Sequence, residues 1–235
     1  MINVGIDLGN SKFSCIVCDI KSDGKTKLLS FVSRSTNSIK KSNITSIKQV
    51  KYEVQEIIKQ AAKESQTEIA SIHLTLPIID SLSRYLTSEI NISNEKISDL
   101  HINKSINQSE LLEPIDNYKV IYRSIINYTL DKQSDIIDPR GMYGDNLQVN
   151  FYKLAIKENF IKTVLTIFDQ LKIHIENYVP SPLSSALATL NNDEKKLGTM
   201  CIDLGAGSTS ICVFENNKLI FVDGIPVGGQ NITND

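Results

Sequence analysis

A strand-turn-strand unit occurs twice in this chain, the copies about two hundred residues apart, far beyond any solenoid period. The later copy runs from Met200 to Phe214: an apolar strand containing Ile202-Asp203-Leu204, the turn Gly205-Ala206-Gly207-Ser208-Thr209, then a second apolar strand. The earlier copy, Val4 to Val17, repeats Ile6-Asp7-Leu8-Gly9, follows it with the polar turn Asn10-Ser11-Lys12, and leaves through another apolar strand. One Asp-x-Gly hairpin means little, because the pattern recurs by chance and Gly-rich turns need no ligand. Two at this distance imply two similar domains facing each other, each lending a hairpin and one acidic residue to a shared cleft.

The residue types in these turns suit phosphate. Glycine is expected to permit positive φ and to let backbone N–H groups come close to an anion. The candidate phosphate contacts are Gly9, Asn10, Ser11 and Lys12 in the first hairpin, and Gly205, Ala206, Gly207, Ser208 and Thr209 in the second. Lys12 would supply a charge-assisted contact. Asp7 and Asp203, at strand ends, are placed to hold a hydrated cation that bridges those phosphates. Asp203 is also the candidate for orienting an attacking water. The bland alternative is that both carboxylates cap their turns and that the hydroxyls serve turn chemistry.

Composition narrows the class. The 235 residues carry 25 Lys and Arg against 27 Asp and Glu, a net charge of −2, so no basic field points to nucleic acid. No apolar run is long enough to span a bilayer, and Met1 leads directly into a strand without a signal peptide, so the chain reads as cytoplasmic. Cys15, Cys18, Cys201 and Cys212 all lie in the two apolar hairpins. Cys15 and Cys18 form a Cys-x-x-Cys, but in a strand residues three apart face opposite ways, so core thiols are expected over a metal site. His73, His101 and His174 have no partners recognisable in the sequence. No carboxylate pair stands beside a nucleophile to make an acid-base dyad.

In chain order, residues 2–8, 13–20 and 26–33 read as strands, with a turn at Ser22-Asp23-Gly24-Lys25. Residues 34–48 read as a loop. Val50, Val54, Ile57, Ile58 and Ala61 share a helical face over 50–65, and 69–76 is a strand closed by Pro77. Residues 79–155 form an inserted α+β unit: strand 81–92, a helix 93–106 capped by Ser93, and strands 118–130 and 146–156. A helix over 157–171, a strand over 173–178 and a Pro-led helix to Leu190 lead to the second hairpin. A strand at 219–222 follows, and 228–235 begins a helix.

The paired hairpins resemble the phosphate-1 and phosphate-2 loops of the actin, Hsp70 and sugar-kinase superfamily. Four features resemble the bacterial cell-division FtsA family within it: Asp7-Leu8-Gly9-Asn10-Ser11-Lys12; the placement of the insertion; Pro139-Arg140-Gly141-Met142-Tyr143-Gly144-Asp145-Asn146-Leu147; and Ile225-Pro226-Val227-Gly228-Gly229 with Ile232-Thr233-Asn234-Asp235. Together they span almost the whole chain. Two departures stand out. Lys40-Lys41-Ser42-Asn43-Ile44 replaces a glycine-bearing turn, and Ala206 interrupts what in the family is a run of glycines, at little cost if its φ is negative.

The resemblance implies an α/β, actin-like (ribonuclease H-like) ATPase fold with an inserted α+β subdomain and a truncated second half. Its expected units are 1–78 with 156–190, the insertion 79–155, and the start of a second half at 191–235. It further implies ATP and Mg2+ between the halves, clamping the cleft, with at most a weak ATPase. FtsA proteins sit on the inner face of the cell membrane at the division septum, link FtsZ to it, self-associate, and meet late division proteins through the insertion. The FtsZ-binding and membrane-binding parts would lie beyond Asp235, making this chain a fragment. The rivals are a pilus-assembly scaffold and a sugar-kinase-like phosphotransferase.

Overall fold

A computed structural model of the chain describes residues 1–41, 43–112 and 114–234; Ser42, singled out above, and Asp235 lie outside them. The N-terminal strands β1 (Ile2–Leu8), β2 (Lys12–Ile20) and β3 (Thr26–Ser35) form the expected antiparallel meander. β6 (Ser71–Leu76) and β11 (His174–Pro180) then add in parallel on the other side of β1, giving the order β11-β6-β1-β2-β3. The polar stretch after β3 is not wholly irregular: β4 (Ile39–Lys40) and β5 (Asn43–Ile44) pair as a small ribbon. Two-residue strands leave no periodicity to read in a sequence.

Helix α1 (Ile47–Ser65) buries Val50, Val54, Ile57, Ile58 and Ala61, the five positions that share its apolar face. Ser46 caps its start by accepting from the Gln49 N–H, and Gln66 ends it in the left-handed conformation with φ 53°. Helix α3 (Glu158–Leu171) buries Ile161, Val164, Ile167 and Phe168 beside it. Each fully buried side chain of such a stripe contributes roughly 1.5–3 kcal/mol. Both helices therefore owe their stability to the sheet face they cover, which is also the face that fixes the root of the first hairpin.

Residues 82–157 build a second sheet, β7-β10-β8-β9, from β7 (Leu82–Lys96), β8 (Tyr118–Leu130), β9 (Gln133–Ile136) and β10 (Tyr143–Lys157). The helix of this region, α2 (Asp99–Leu112), starts later than the Ser93 cap predicted. Ser93 and Asn94 instead stand inside β7 with positive φ of 51° and 59°, and the Ser93 N–H and hydroxyl both turn back to Asn91 Oδ1. A local side-chain bond of this kind kinks a strand as readily as it caps a helix. Pairing with β10 on both sides, Asn91 with Asn146 and Glu95 with Gly144, keeps the segment in the strand, and Ser93 and Asn94 form a bulge between them.

Helix α4 (Ser181–Thr189) and a short helix α5 (Asn192–Leu197), closed by a capping box between Asn191 and Glu194, precede the third sheet. The sequence reading passed over α5. The sheet consists of β12 (Thr199–Leu204), β13 (Thr209–Glu215) and β14 (Lys218–Ile225), followed by α6 (Gly229–Asn234). A core of Leu183, Ala186, Cys212, Phe214, Leu219 and Val222 joins it to Tyr152 and Leu154 of β10. The buried Tyr152 hydroxyl accepts the Val222 N–H at 2.9 Å, so the central strand of the second sheet is fixed to the outer strand of the third.

Cys15 and Cys212 are fully buried thiols, pushed up to about 12 by burial, while Cys18 and Cys201 are half-buried. The histidines do have neighbours. His73 lies between Asn3 and Asn177, with Glu176 at 3.7 Å, and His101 Nδ1 accepts the Ser98 N–H with Glu95 at 3.4 Å.

Candidate functional site

The two hairpins fold alike. In each, four residues connect the last paired positions, Leu8 with Phe13 and Leu204 with Thr209. In each, the glycine after Asp-Leu donates its N–H to the carbonyl three residues on: Gly9 to Lys12 at 3.1 Å, and Gly205 to Ser208 at 2.9 Å. The reason for glycine is not the positive φ that the sequence suggested, since neither adopts it, nor does Gly207. A Cβ on Gly9 would meet the Lys12 carbonyl oxygen at 2.8 Å, and one on Gly205 the Ser208 carbonyl oxygen at 2.9 Å. Close approach of backbone within a tight turn excludes any side chain. Ala206 is accommodated as expected, without positive φ.

Both aspartates project from these strand ends into one cleft of about 390 Å³, lined also by Gly9, Asn10, Ser11, Lys12, Gly205, Ala206 and Ser208. Each carboxylate is held by a hydroxyl from another element. Thr75 of β6, in register with Asp7 across the parallel β1-β6 pair, donates to Asp7 Oδ1 at 2.5 Å. Ser185 of α4 donates to Asp203 Oδ2 at 2.6 Å. Burial raises the Asp7 pKa from its ordinary value; the Thr75 bond opposes this, the Asp203 charge adds to it, and Lys12 pulls it down again. Two hard-oxygen carboxylates that repel across a cleft, with one lysine between the hairpins and solvent, form a donor set suited to a hydrated divalent cation.

Seven of the nine candidate phosphate contacts line this cleft; the other two face elsewhere. Thr209 turns its hydroxyl to the Val227 carbonyl at 2.7 Å. Gly207 packs against Asn10, whose Nδ2 also reaches Ser208 Oγ at 3.4 Å, so the hairpins touch. The sequence reading missed Thr75, Pro77, Ser181, Ser185 and Ser210, all at the cleft or bonded to its carboxylates. Thr75 and Pro77 stand at the end of β6, where a parallel neighbour of β1 must deliver side chains beside Asp7, so parallel pairing was the available signal. Ser185 sits mid-helix and gave none.

The segment after β14 straps the second hairpin. The Gly229 and Gln230 N–H groups donate to the Gly205 and Ala206 carbonyls, both at 2.9 Å. A Cβ on Gly228 would lie 2.5 Å from both carbonyl oxygens. Gly228 of Val227-Gly228-Gly229 thus serves contact with the hairpin, whereas a Cβ on Gly229 would come no nearer than 3.8 Å to the Gly205 carbonyl.

Comparison with known proteins bears on the whole chain. Residues 82–154 match the family model described as the SHS2 domain inserted in FTSA, and residues 200–235 match that of cell division protein FtsA. Cell division protein FtsA of Helicobacter pylori strain J99 is 29% identical over 100% of the chain and 52% of its own length. That of Buchnera aphidicola subsp. Schizaphis graminum is 25% identical over 99% of the chain and 56% of its length, and that of Escherichia coli K12 22% over 99% and 55%. The chain therefore spans about half the length of the curated relatives it matches. Among solved structures, a chain of the PilM-PilN type IV pilus biogenesis complex superposes with TM-score 0.66 at 15% identity, covering 99% of this chain and 63% of its own. Ethanolamine utilization protein EutJ from Carboxydothermus hydrogenoformans gives TM-score 0.54 at 13% identity, with coverage of 100% and 55%. These two likenesses concern the fold.

Proposed function

We propose that this chain, which belongs to the FtsA family of cell division proteins and has the actin-like fold, binds the phosphates of ATP between its two hairpins. The observation that carries this reading is the geometric identity of the hairpins around one cleft with an aspartate at each root. Asp7 and Asp203 would hold Mg2+ through its water shell, and the bound ion would neutralise phosphate charge. Lys12 meets the same charge from the first hairpin, and Ser11 and Ser208 offer hydroxyl donors. Thr75 and Ser185 keep the two carboxylates aimed at the cleft and so act as positioning residues.

Closing the hairpins on a ligand shifts the molecule towards a form with different outer surfaces, because only a closed cleft satisfies both sets of donors. In this reading residues 1–78 with 156–190, 79–155, and 191–235 are the units that move, and nucleotide acts as a clamp with little or no turnover. Asp203 is our candidate for orienting a water. We place the protein at the division septum, on the inner face of the cell membrane. Partners are other copies of itself, late division proteins through 79–155, and FtsZ and the membrane through the portion of its relatives' length that this chain does not span. Among the described residues, no helix is long and apolar enough to cross a membrane.

Calorimetric titration of Mg-ATP tests this, using this chain and a version extended to the length of its relatives, each beside Asp203→Ala. Binding that disappears with the substitution supports the reading. Binding that survives both Asp203→Ala and Lys12→Ala would overturn it.

A further inference from the structure

The contact between Asn10 and Gly207 separates the cleft from a second cavity of about 280 Å³, lined by Asn10, Asn37, Lys40, Lys41, Gln230 and Asn231, together with Gly207 and Ile39. The two cavities differ in charge. The cleft holds two aspartates and one lysine, whereas the second cavity holds two lysines, four side-chain amides and, among its described lining residues, no carboxylate. We propose that this second cavity is an oxyanion site that takes inorganic phosphate or a phosphoryl group of similar size. It stands on its own geometry and does not need nucleotide in the cleft.

One wall is built in advance. The Thr36 and Ser38 hydroxyls, both buried, donate to Glu53 Oε2 at 2.6 Å, fixing the ribbon that carries Asn37, Lys40 and Lys41 onto α1. The Thr36 N–H donates to the Ser11 carbonyl at 2.9 Å, tying the same ribbon to the first hairpin, and Thr45 grips the Ser38 carbonyl through both its N–H and its hydroxyl. This network satisfies Glu53, with a further bond from Gln49 Nε2 to its Oε1 at 2.8 Å. Lys41, which lines the cavity, is held at φ 47°, a conformation lysine rarely adopts and one that carries a local cost. On the opposite wall Asn231 Oδ1 accepts the Gly228 N–H at 3.0 Å, and this leaves the Nδ2 end of the amide for an acceptor. Lysines and amide donors without an acid suit a small dianion.

The test is a phosphate titration of 15N-labelled protein at constant ionic strength, read at the side-chain amides. Saturable shifts are expected at Asn37, Gln230 and Asn231. Affinity should fall at least about tenfold in Lys40→Gln/Lys41→Asn, the loss expected for charged donors. Asparagine tolerates the left-handed position, so this variant should keep its fold, and Lys40→Arg/Lys41→Asn should recover part of the binding. A second arm uses a non-hydrolysable ATP analogue: the same shifts would identify a terminal phosphoryl group as the occupant, and shifts with phosphate alone would identify the free ion. Shifts confined to residues 9–12 and 205–208, or undiminished affinity in the lysine-free variant, would overturn the proposal.

Discussion

The two hairpins share a backbone and differ in what they attach to it. The first carries the cation, Lys12, at the position where the second has Ser208, and its Asp7 is buried enough to be raised in pKa. The second is made of glycine, alanine and serine, and it is tied down by the 227–230 strap, where the first is instead tied through the Thr36 N–H to the Ser11 carbonyl. A common scaffold has therefore been given two tasks: one side supplies charge, and the other supplies a shaped, neutral surface fixed to the segment that follows. If this division is right, substitutions at equivalent positions should have equal structural effects and unequal effects on binding.

The largest expected structural effect falls on the strap, where the hairpins are least alike. Gly228→Ala would drive a methyl group into two backbone carbonyls at 2.5 Å, a clash no rotamer relieves. Overpacking on this scale costs about 3 kcal/mol. The damage should be local: hydrogen exchange at the Gly229 and Gln230 amides should accelerate towards free-peptide rates while the amides of β1 stay protected. Unchanged protection at Gly229 would break the strap out of the comparison.

Next come the equivalent glycines. Gly9→Ala and Gly205→Ala each set a methyl group against a carbonyl within the turn, at 2.8 and 2.9 Å, and each should cost about 2 kcal/mol. Denaturant midpoints of the two variants should agree closely. A clear gap between them would show that the matched turns are not energetically matched.

Much of this was legible in the sequence, for reasons particular to each element. The α1 face could be read because five apolar residues repeat at helical spacing and all five pack on one sheet. The hairpins could be read because a four-residue motif repeats. What was lost depended on tertiary pairing. Ser93 looks like a helix cap, yet it falls in a bulge of β7 whose flanks pair with β10; α5 is too short to show a periodicity; and Thr75 and Ser185 become site residues only once β6 lies beside β1 and α4 beside β12. The glycine positions were found in part on a wrong argument: positive φ was expected, and close approach of backbone within the turn is what these positions require.

Binding should then separate what stability does not. Lys12→Ala removes a charged donor and should weaken Mg-ATP affinity by about 1.5–3 kcal/mol, whereas Ser208→Ala at the matching position removes a neutral one and should cost about 0.5–1.5 kcal/mol. The Lys12 effect should shrink as salt rises, and the Ser208 effect should not. Equal losses at the two positions would mean that the hairpins share the charge role after all.

The smallest effect is the most diagnostic of the first hairpin's buried acid. The Asp7 carboxyl is raised in the folded state, chiefly by burial, so the folded protein holds its proton more tightly than the unfolded chain does. Stability from this group is therefore complete below the unfolded carboxylate range and is lost as pH climbs through the raised folded value. Above the raised folded value the buried carboxylate is a net burden. Asp7→Asn should thus raise the thermal midpoint of the ligand-free protein slightly at pH 7, and the gain should fade as the pH is lowered into the acid range. Asn can still accept the Thr75 hydroxyl, so the comparison isolates the charge. A midpoint that drops at pH 7, or a gain independent of pH, would mean that Asp7 is stabilised by its surroundings, and the two aspartates would then be alike where the hairpins are here held to differ.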